Sequence, residues 1–226
     1  MNVLKKKILA LVPARGGSKG IKLKNLKKIN NKTLIEITSV FIDKCKIFDQ
    51  KVISSDNKKI IIHSKKLKFN IIKRKKNLSG DRVSDFKVIK NVIEELDVKF
   101  DYVVYLQPTS PIRQVAHLKN AIKQVIKLNL DGAWSVSKVN SKYHPLKLLE
   151  IKSHKIRLFN SKGAKIIARQ MLNEVYCRNG VFYIFNVNKL IKQKTIYLNN
   201  ILPSITNYKT VNIDSLKDLK LARKFL

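Results

Sequence analysis

The stretch Ile8–Asn25, ILALVPARGGSKGIKLKN, decides how the rest of the chain is read. Its first five residues, Ile8-Leu9-Ala10-Leu11-Val12, are continuously apolar with no helical spacing. That is the pattern of a strand buried on both faces in the middle of a parallel sheet. Pro13 ends the run. Gly16, Gly17 and Gly20 are then interleaved with Arg15, Lys19, Lys22 and Lys24. Glycine lets backbone N–H groups come close to a ligand, and fixed cations beside it favour a polyanion, most simply a triphosphate. A loop of this kind beyond a strand edge is where α/β proteins bind ligands. No Gly-Lys-Ser/Thr closes it, so it is not a Walker loop, and the dinucleotide spacing G-x-G-x-x-G is absent. A flexible lysine-rich surface loop is the other reading of the stretch taken alone.

Working outward, apolar and polar segments keep alternating. Thr33–Cys45 has helical spacing, and Lys51–Ser55 reads as a strand, with Asp56 as the cap of the next helix, which runs to Leu67. Phe69–Ile72 is a strand with Arg74 just past it, at the same edge as Arg15 if the strands are parallel. Leu78-Ser79-Gly80-Asp81 is a turn, Ser84–Leu96 a helix and Tyr102–Leu106 a strand. That strand ends in Gln107-Pro108-Thr109-Ser110-Pro111, a corner stiffened by two prolines. A helix over Val115–Leu128 and a strand over Asp131–Val136 follow. Repeated strand–helix alternation with short connections predicts a mainly parallel sheet covered on both faces. The rhythm changes over 139–173, where weak alternation predicts a β-rich arm inserted in a single domain spanning 1–226. Gly180–Phe185 returns to strand, Lys209–Ile213 reads as a last short strand, and Ser215 caps a terminal helix.

Composition narrows the class. With 44% hydrophobic residues the chain can build a substantial core, and with two cysteines, Cys45 and Cys177, it has neither metal spacing nor a disulfide framework, which suits a reduced cytoplasm. The opening MNVLKKKILALV superficially resembles a secretory leader, but its apolar run is short and no small-residue cleavage site follows. No run approaches a membrane span, so a soluble, cytoplasmic protein is expected. The formal charge of +33 invites a nucleic-acid reading. The lysines, however, are spread along the whole chain among abundant Asn and Ile, a mixture that A/T-rich codons produce without selection for binding. The charge would still draw an anionic nucleotide and an acidic sugar towards a cleft.

Three separated motifs then coincide: Val12-Pro13-Ala14-Arg15-Gly16-Gly17-Ser18-Lys19-Gly20 with Lys24-Asn25-Leu26; Leu106-Gln107-Pro108-Thr109-Ser110-Pro111-Ile112-Arg113; and Asn179-Gly180 leading into Phe182-Tyr183, completed by Ile213-Asp214. With His144-Pro145-Leu146-Lys147 they cover nearly the whole chain. In these motifs the sequence resembles the acylneuraminate cytidylyltransferases, the CMP-sialic acid synthetase family. The resemblance implies a Rossmann-like nucleotidyltransferase fold, a homodimer joined through the arm, and Mg2+ as cofactor. It implies that CTP and an acidic nine-carbon sugar give a CMP-sugar and pyrophosphate.

Carried over residue by residue, the resemblance makes Arg15 and Lys24 triphosphate contacts that neutralise the leaving pyrophosphate, with Gly16, Ser18, Asn25, Arg74 and Ser84 around the nucleotide and Lys19 a weaker candidate. Gln107, Thr109, Ser110, Asn179 and Tyr183 fall on the sugar side. Lys147 would reach a partner's site through the arm, whereas His144 reads as structural. Asp214 is the metal ligand, joined by Asn212. Here the chain departs from the family's usual Asp-x-Asp, and one negative charge is lost. A second departure is Tyr176-Cys177-Arg178-Asn179-Gly180, where many sialic acid enzymes carry arginine in place of Cys177. Pseudaminic, legionaminic or Kdo-type acids therefore stand as alternatives, with the Gln107–Pro111 corner arguing against Kdo. A basic nucleic-acid-binding protein on a degenerate transferase fold is the rival of another class. No histidine is placed to serve as a general base.

Overall fold

The computed structural model describes residues 6–226. The leader-like reading of the N-terminus falls partly on residues 1–5, which lie outside the described ones. Strand β1 (Ile8–Pro13) is an interior strand of a seven-stranded sheet. β4 (Gln50–Ser55) pairs on one side of it and β6 (Tyr102–Tyr105) on the other, both parallel, and β5 (Asn70–Lys73) extends the β4 edge. Beyond β6 come β10 (Tyr176–Asn186), β7 (Gly132–Lys138) and β11 (Ile201–Ile205). β10 runs antiparallel to both neighbours, and β11 is parallel to β7. A short hairpin, β2 (Lys28–Ile29) with β3 (Lys32–Thr33), follows the glycine loop.

The continuous apolar run of β1 now has its explanation. Ile8, Ala10 and Val12 point to one face and Leu9 and Leu11 to the other, and both faces are covered. Helices α1 (Leu34–Cys45), α2 (Lys58–Lys66) and α4 (Val115–Lys127) pack on the first through Ile35, Phe41, Ile60, Leu118 and Val125. Helices α3 (Asp85–Glu94) and α5 (Val187–Gln193) cover the second through Ile89, Val92 and Leu190. Each fully buried aliphatic side chain of this kind contributes about 1.5–3 kcal/mol, so β1 anchors both layers at once. A smaller cluster, with Ile21, Leu34, Val211 and Ile213, ties the glycine loop to the C-terminal segment.

Capping follows the sequence closely. Thr33 caps α1 in a capping box with Glu36, Ser84 caps α3, and Ser215 caps α6 (Leu216–Arg223) in a box with Asp218. Two expectations are corrected, and one strand was not expected. Asp56 does not cap α2; Asn57 does, because its Oδ1 accepts from the N–H groups of Lys59 and Ile60, and Asp56 is left facing the glycine loop. Lys209–Ile213 forms no strand. It is an irregular segment pinned by the Ile213 N–H donating to the Thr109 carbonyl at 2.8 Å, with Val211 and Ile213 buried. The strand at that end of the sheet is β11, which sequence reading passes over because Pro203 interrupts its pattern; an edge position tolerates it.

Residues 139–173 hold an antiparallel hairpin, β8 (Leu149–Lys152) and β9 (Lys155–Leu158), set among 3-10 turns. Every residue of both strands is exposed. Among the described residues no helix is long and apolar enough to cross a membrane.

Candidate active site

The chain leaves β1 towards β4 and β5, then returns to lay β6 on the opposite side of β1. This reversal opens a crevice at the carboxyl ends of the strands, where open α/β sheets place ligands. A cleft of about 550 Å³ lies there. Of the residues singled out from sequence, Arg15, Ser18, Lys19, Lys24, Asn25, Arg74, Gln107, Thr109 and Asp214 all line it. They come from three strand ends, those of β1, β5 and β6, and from the segment before α6, so the rim gathers residues from nearly the whole chain.

The glycine loop is held from three sides. The Gly16 N–H donates to Asp56 Oδ1 at 2.8 Å, and Asn25, buried beneath the loop, donates from Nδ2 to the Arg15 carbonyl at 3.2 Å. At Gly20 a Cβ would stand 2.4 Å from the Asp214 carbonyl oxygen, so only glycine lets the loop press against that segment. This close approach sets the loop's last cation on the carboxylate: Lys24 Nζ meets Asp214 Oδ1 at 2.7 Å. Asn212 donates from Nδ2 to Asp214 Oδ2 at 3.2 Å. The Asp214 N–H is itself held by Asp218, whose carboxyl is kept below its usual range by the Ser215 hydroxyl and by the backbone N–H groups of Asp214 and Ser215.

Two other loop cations are also paired. Arg15 Nη2 contacts Asp81 Oδ1 at 2.6 Å and Lys19 Nζ contacts Asp81 Oδ2 at 2.7 Å. Hydrogen bonds from Lys19 and Arg15 hold the Asp81 carboxyl below the usual carboxylate range. Deeper in the cleft, Arg74 is buried, its Nε donating to Ser54 Oγ and its Nη2 to the Ser54 carbonyl, each at 3.0 Å. Burial pulls its pKa below that of a free guanidinium; nearby Arg15 acts in the same sense, and Tyr105, Asp56 and Asp85 oppose it. Beside it the Tyr105 hydroxyl donates to Asp85 Oδ1 at 2.7 Å, and burial together with that carboxylate pushes the phenol well above its ordinary pKa.

The remaining residues from the sequence reading lie outside this cleft. Ser84 caps α3 and lines an adjacent cavity of about 350 Å³. Ser110 is buried behind the proline corner, donating from Oγ to the Asn179 carbonyl at 3.1 Å. Asn179 is buried as well: its Nδ2 donates to Ser137 Oγ and Thr206 Oγ1, and its Oδ1 accepts from the Val181 N–H. Gly180 has φ +73°, and a Cβ there would stand 2.6 Å from Ser110 Oγ and 2.7 Å from Gln107 Oε1. Tyr183 packs edge-on against Trp134 in the core, where burial raises its pKa. Lys147 is exposed on the 3-10 turn Pro145–Lys147 of the arm.

Sequence reasoning missed four residues. Asp81 was visible only as part of a turn, though an acidic residue beside a basic loop was the available signal. Tyr105 and Asp85 meet only through the fold. Arg113 closes the proline corner by donating from Nε to the Val181 carbonyl at 2.8 Å and from Nη2 to the Gln107 carbonyl.

The fold and rim define a nucleotidyltransferase-type α/β protein. Its chain superposes on a CMP:2-keto-3-deoxy-manno-octonic acid synthetase complexed with CTP, with a TM-score of 0.73 at 13% identity, covering 96% of this chain and 97% of that one. The sequence profile of the cytidylyltransferase family matches residues 9–225, and the chain belongs to that family. It is 28% identical over 229 residues to the CMP-N,N'-diacetyllegionaminic acid synthase of Legionella pneumophila, covering 97% of this chain and 96% of that protein. It is 26% identical over 193 residues to the N-acylneuraminate cytidylyltransferase of Streptococcus agalactiae serotype V, covering 84% of this chain and 46% of that longer one.

Proposed function

We propose that this cytidylyltransferase joins CTP to a nonulosonic sugar acid, giving the CMP-sugar and pyrophosphate. The observation that carries the reading is the convergence of Arg15, Lys19, Lys24, Arg74 and Gln107 on one cleft at the sheet's switch point. The cations would take the triphosphate, displacing Asp81 and Asp214 from their present pairings. The anomeric oxygen forms the new bond to the α-phosphorus while the bond to the pyrophosphate oxygen breaks in line, and the hydroxyl proton is released to solvent. Positioning and charge neutralisation do most of the work in such transfers. Arg15 and Lys24 would hold the leaving pyrophosphate.

The donor set suits Mg2+, a hard cation that takes one or two carboxylates and draws its other ligands from phosphate oxygens and water. Asp214 would supply the carboxylate; Asn212 turns its Nδ2 to Asp214 and its Oδ1 towards Ser110 Oγ at 3.5 Å, so its carbonyl would join only after the amide turns over. Among the described residues no group of three His, Cys, Asp or Glu forms a ready-made cage, which suits an ion that arrives with the nucleotide. When bound, the ion would neutralise charge on the phosphates.

The near end-to-end match to a legionaminic acid enzyme and the Cys177 departure together favour a nonulosonic acid other than sialic acid itself. The exposed apolar hairpin of the arm supports a homodimer, and the whole chain would act as one catalytic domain in the cytoplasm. The test is pyrophosphate release with each of the four nucleoside triphosphates and Mg2+, across N-acetylneuraminic, N,N'-diacetyllegionaminic, pseudaminic and Kdo acids. Release with CTP and a nonulosonic acid is expected; no release with any nonulosonic acid overturns the reading.

A further inference from the structure

The cavity beside the nucleotide cleft contains a guanidinium with an unusual setting. Arg178 lies over two rings, 5.2 Å from the Trp134 centroid and 5.4 Å from that of Tyr197. The two rings stand edge to face, 5.3 Å apart at 74°, and so form a corner that clasps the cation. Among the described residues no carboxylate pairs with it. Cation–π contact holds a guanidinium in place without consuming its N–H donors. What remains free is a planar fork that matches a carboxylate in bidentate fashion.

Place makes that fork informative. Arg178 and Lys194 line a cavity of about 350 Å³ together with the hydroxyl-bearing Ser84 and Thr195. Val83 and Asp85 line both this cavity and the nucleotide cleft, and so form the seam between them. Asp85 carries negative charge at that seam and disfavours a second anion there. An acid entering the cavity therefore settles with its carboxylate at the Arg178 and Lys194 end.

We propose that Arg178, clasped by Trp134 and Tyr197, receives the carboxylate of the sugar acid and thereby orients the hydroxyl that attacks the nucleotide. This deepens the proposed function and rests on it. In the ring form of a 2-keto sugar acid, one carbon bears both the carboxylate and the anomeric hydroxyl. Fixing the first at the far wall leaves the second one carbon away, on the side facing the seam. The departure at Cys177-Arg178 noted from the sequence then has a physical meaning. Neighbouring residues of a strand point to opposite faces, so moving the arginine by one position carries its charge from the face of buried Asn179 to the face of Trp134.

Trp134 is the chain's single tryptophan, which makes its emission a direct reporter of Arg178. The experiment measures KM for CTP and for N,N'-diacetyllegionaminic and N-acetylneuraminic acids in the wild type, Arg178→Met and Arg178→Lys, with the same acids titrated against Trp134 fluorescence. In Arg178→Met, KM for the acid that the wild type uses should rise by roughly tenfold to a hundredfold. Its KM for CTP should stay within about twofold, and the acid-dependent change in emission should vanish. Arg178→Lys should lie between the two. Tyr197→Leu, at an exposed ring, keeps the cation but loosens its clasp; it should raise KM for the acid by a smaller factor, and it serves if Arg178→Met does not fold. An active wild type with an unmoved acid KM in these variants overturns this proposal alone. A wild type that releases no pyrophosphate with any nonulosonic acid overturns it together with the reading on which it rests.

Discussion

The central sheet and the arm use the same kinds of residue in opposite ways. In β1, Leu9, Ala10, Leu11 and Val12 are wholly buried, divided between two faces that the chain covers with its own helices. In the hairpin of the arm, Ile151 is 79% exposed, and Ile167 further along the arm is 91% exposed. Exposed apolar side chains gathered on one excursion are what the proposed homodimer would bury. The chain covers both faces of its sheet itself, whereas the arm would be covered only in the homodimer proposed above. The rim of the sheet should thus fail through its own side chains, and the arm through loss of a partner.

The sharpest attempt to break this contrast is at the rim. Asp214→Ala removes the carboxylate that pairs with Lys24. We expect kcat/KM to fall by about a thousandfold, roughly 4 kcal/mol of barrier. The melting temperature should barely move, because the side chain is exposed and Ser215, not Asp214, caps α6. Steady-state pyrophosphate release with a thermal melt checks both. Undiminished turnover would show that the carboxylate has no part in catalysis.

The corresponding change in the arm is Ile151→Asp with Ile156→Asp. Both side chains are exposed, so the substitutions cost the isolated chain little. If a partner covers them, two buried charges should convert a dimer to monomers, seen by sedimentation velocity at micromolar protein. Unchanged sedimentation would mean that the hairpin is not the contact.

Much of the sheet was legible because its signals are local. Continuous apolar runs, hydroxyl caps and the Gln107–Pro111 corner each state their own structure within a few residues. The place of the glycine loop, directly after β1 at the sheet's rim, was legible for the same reason. Asp81, Tyr105 and Asp85 were not, because what they do depends on pairing across the fold: Arg15 with Asp81, and Tyr105 with Asp85 on a different element. Asn179 carries the motif but is spent on Ser137 and Thr206, holding β10 against β7 and β11. The irregular segment before α6 looked like a strand because Val211 and Ile213 alternate; they alternate to fill the small third cluster.

That reading of Asn179-Gly180 can be sharpened. Gly180 adopts φ +73° with Ser110 and Gln107 close on the side where a Cβ would lie. Gly180→Ala adds both left-handed strain and overlap, and should cost about 2 kcal/mol. For a chain of this size that lowers the melting temperature by about 4–8 °C. Because Gln107 is one of the atoms displaced, KM for the sugar acid should rise along with the loss of stability. A melt shift without a KM change would confine Gly180 to a structural role.

The smallest expected effect concerns the cations before CTP arrives. Arg15 and Lys19 share the Asp81 carboxylate, an arrangement that resembles their engagement by a phosphate. On the proposed reading the nucleotide would displace that carboxylate, and Asp81 would compete with it. Exposed ion pairs contribute about 0–1 kcal/mol each, and Asp81→Asn should therefore tighten CTP by only about twofold to fivefold in a calorimetric titration. The pairing lowers the carboxyl's pKa, so Asp81 stays ionised until pH falls below the ordinary aspartate range. The difference between wild type and variant should accordingly be constant through neutral pH and should shrink only in acid, as the wild-type carboxyl takes up a proton. It should also shrink in high salt, which screens exposed pairs. Weaker CTP binding in the variant would reverse the assignment: Asp81 would then be part of the nucleotide site, and the turn Leu78–Asp81 would close over the phosphates instead of standing in for them.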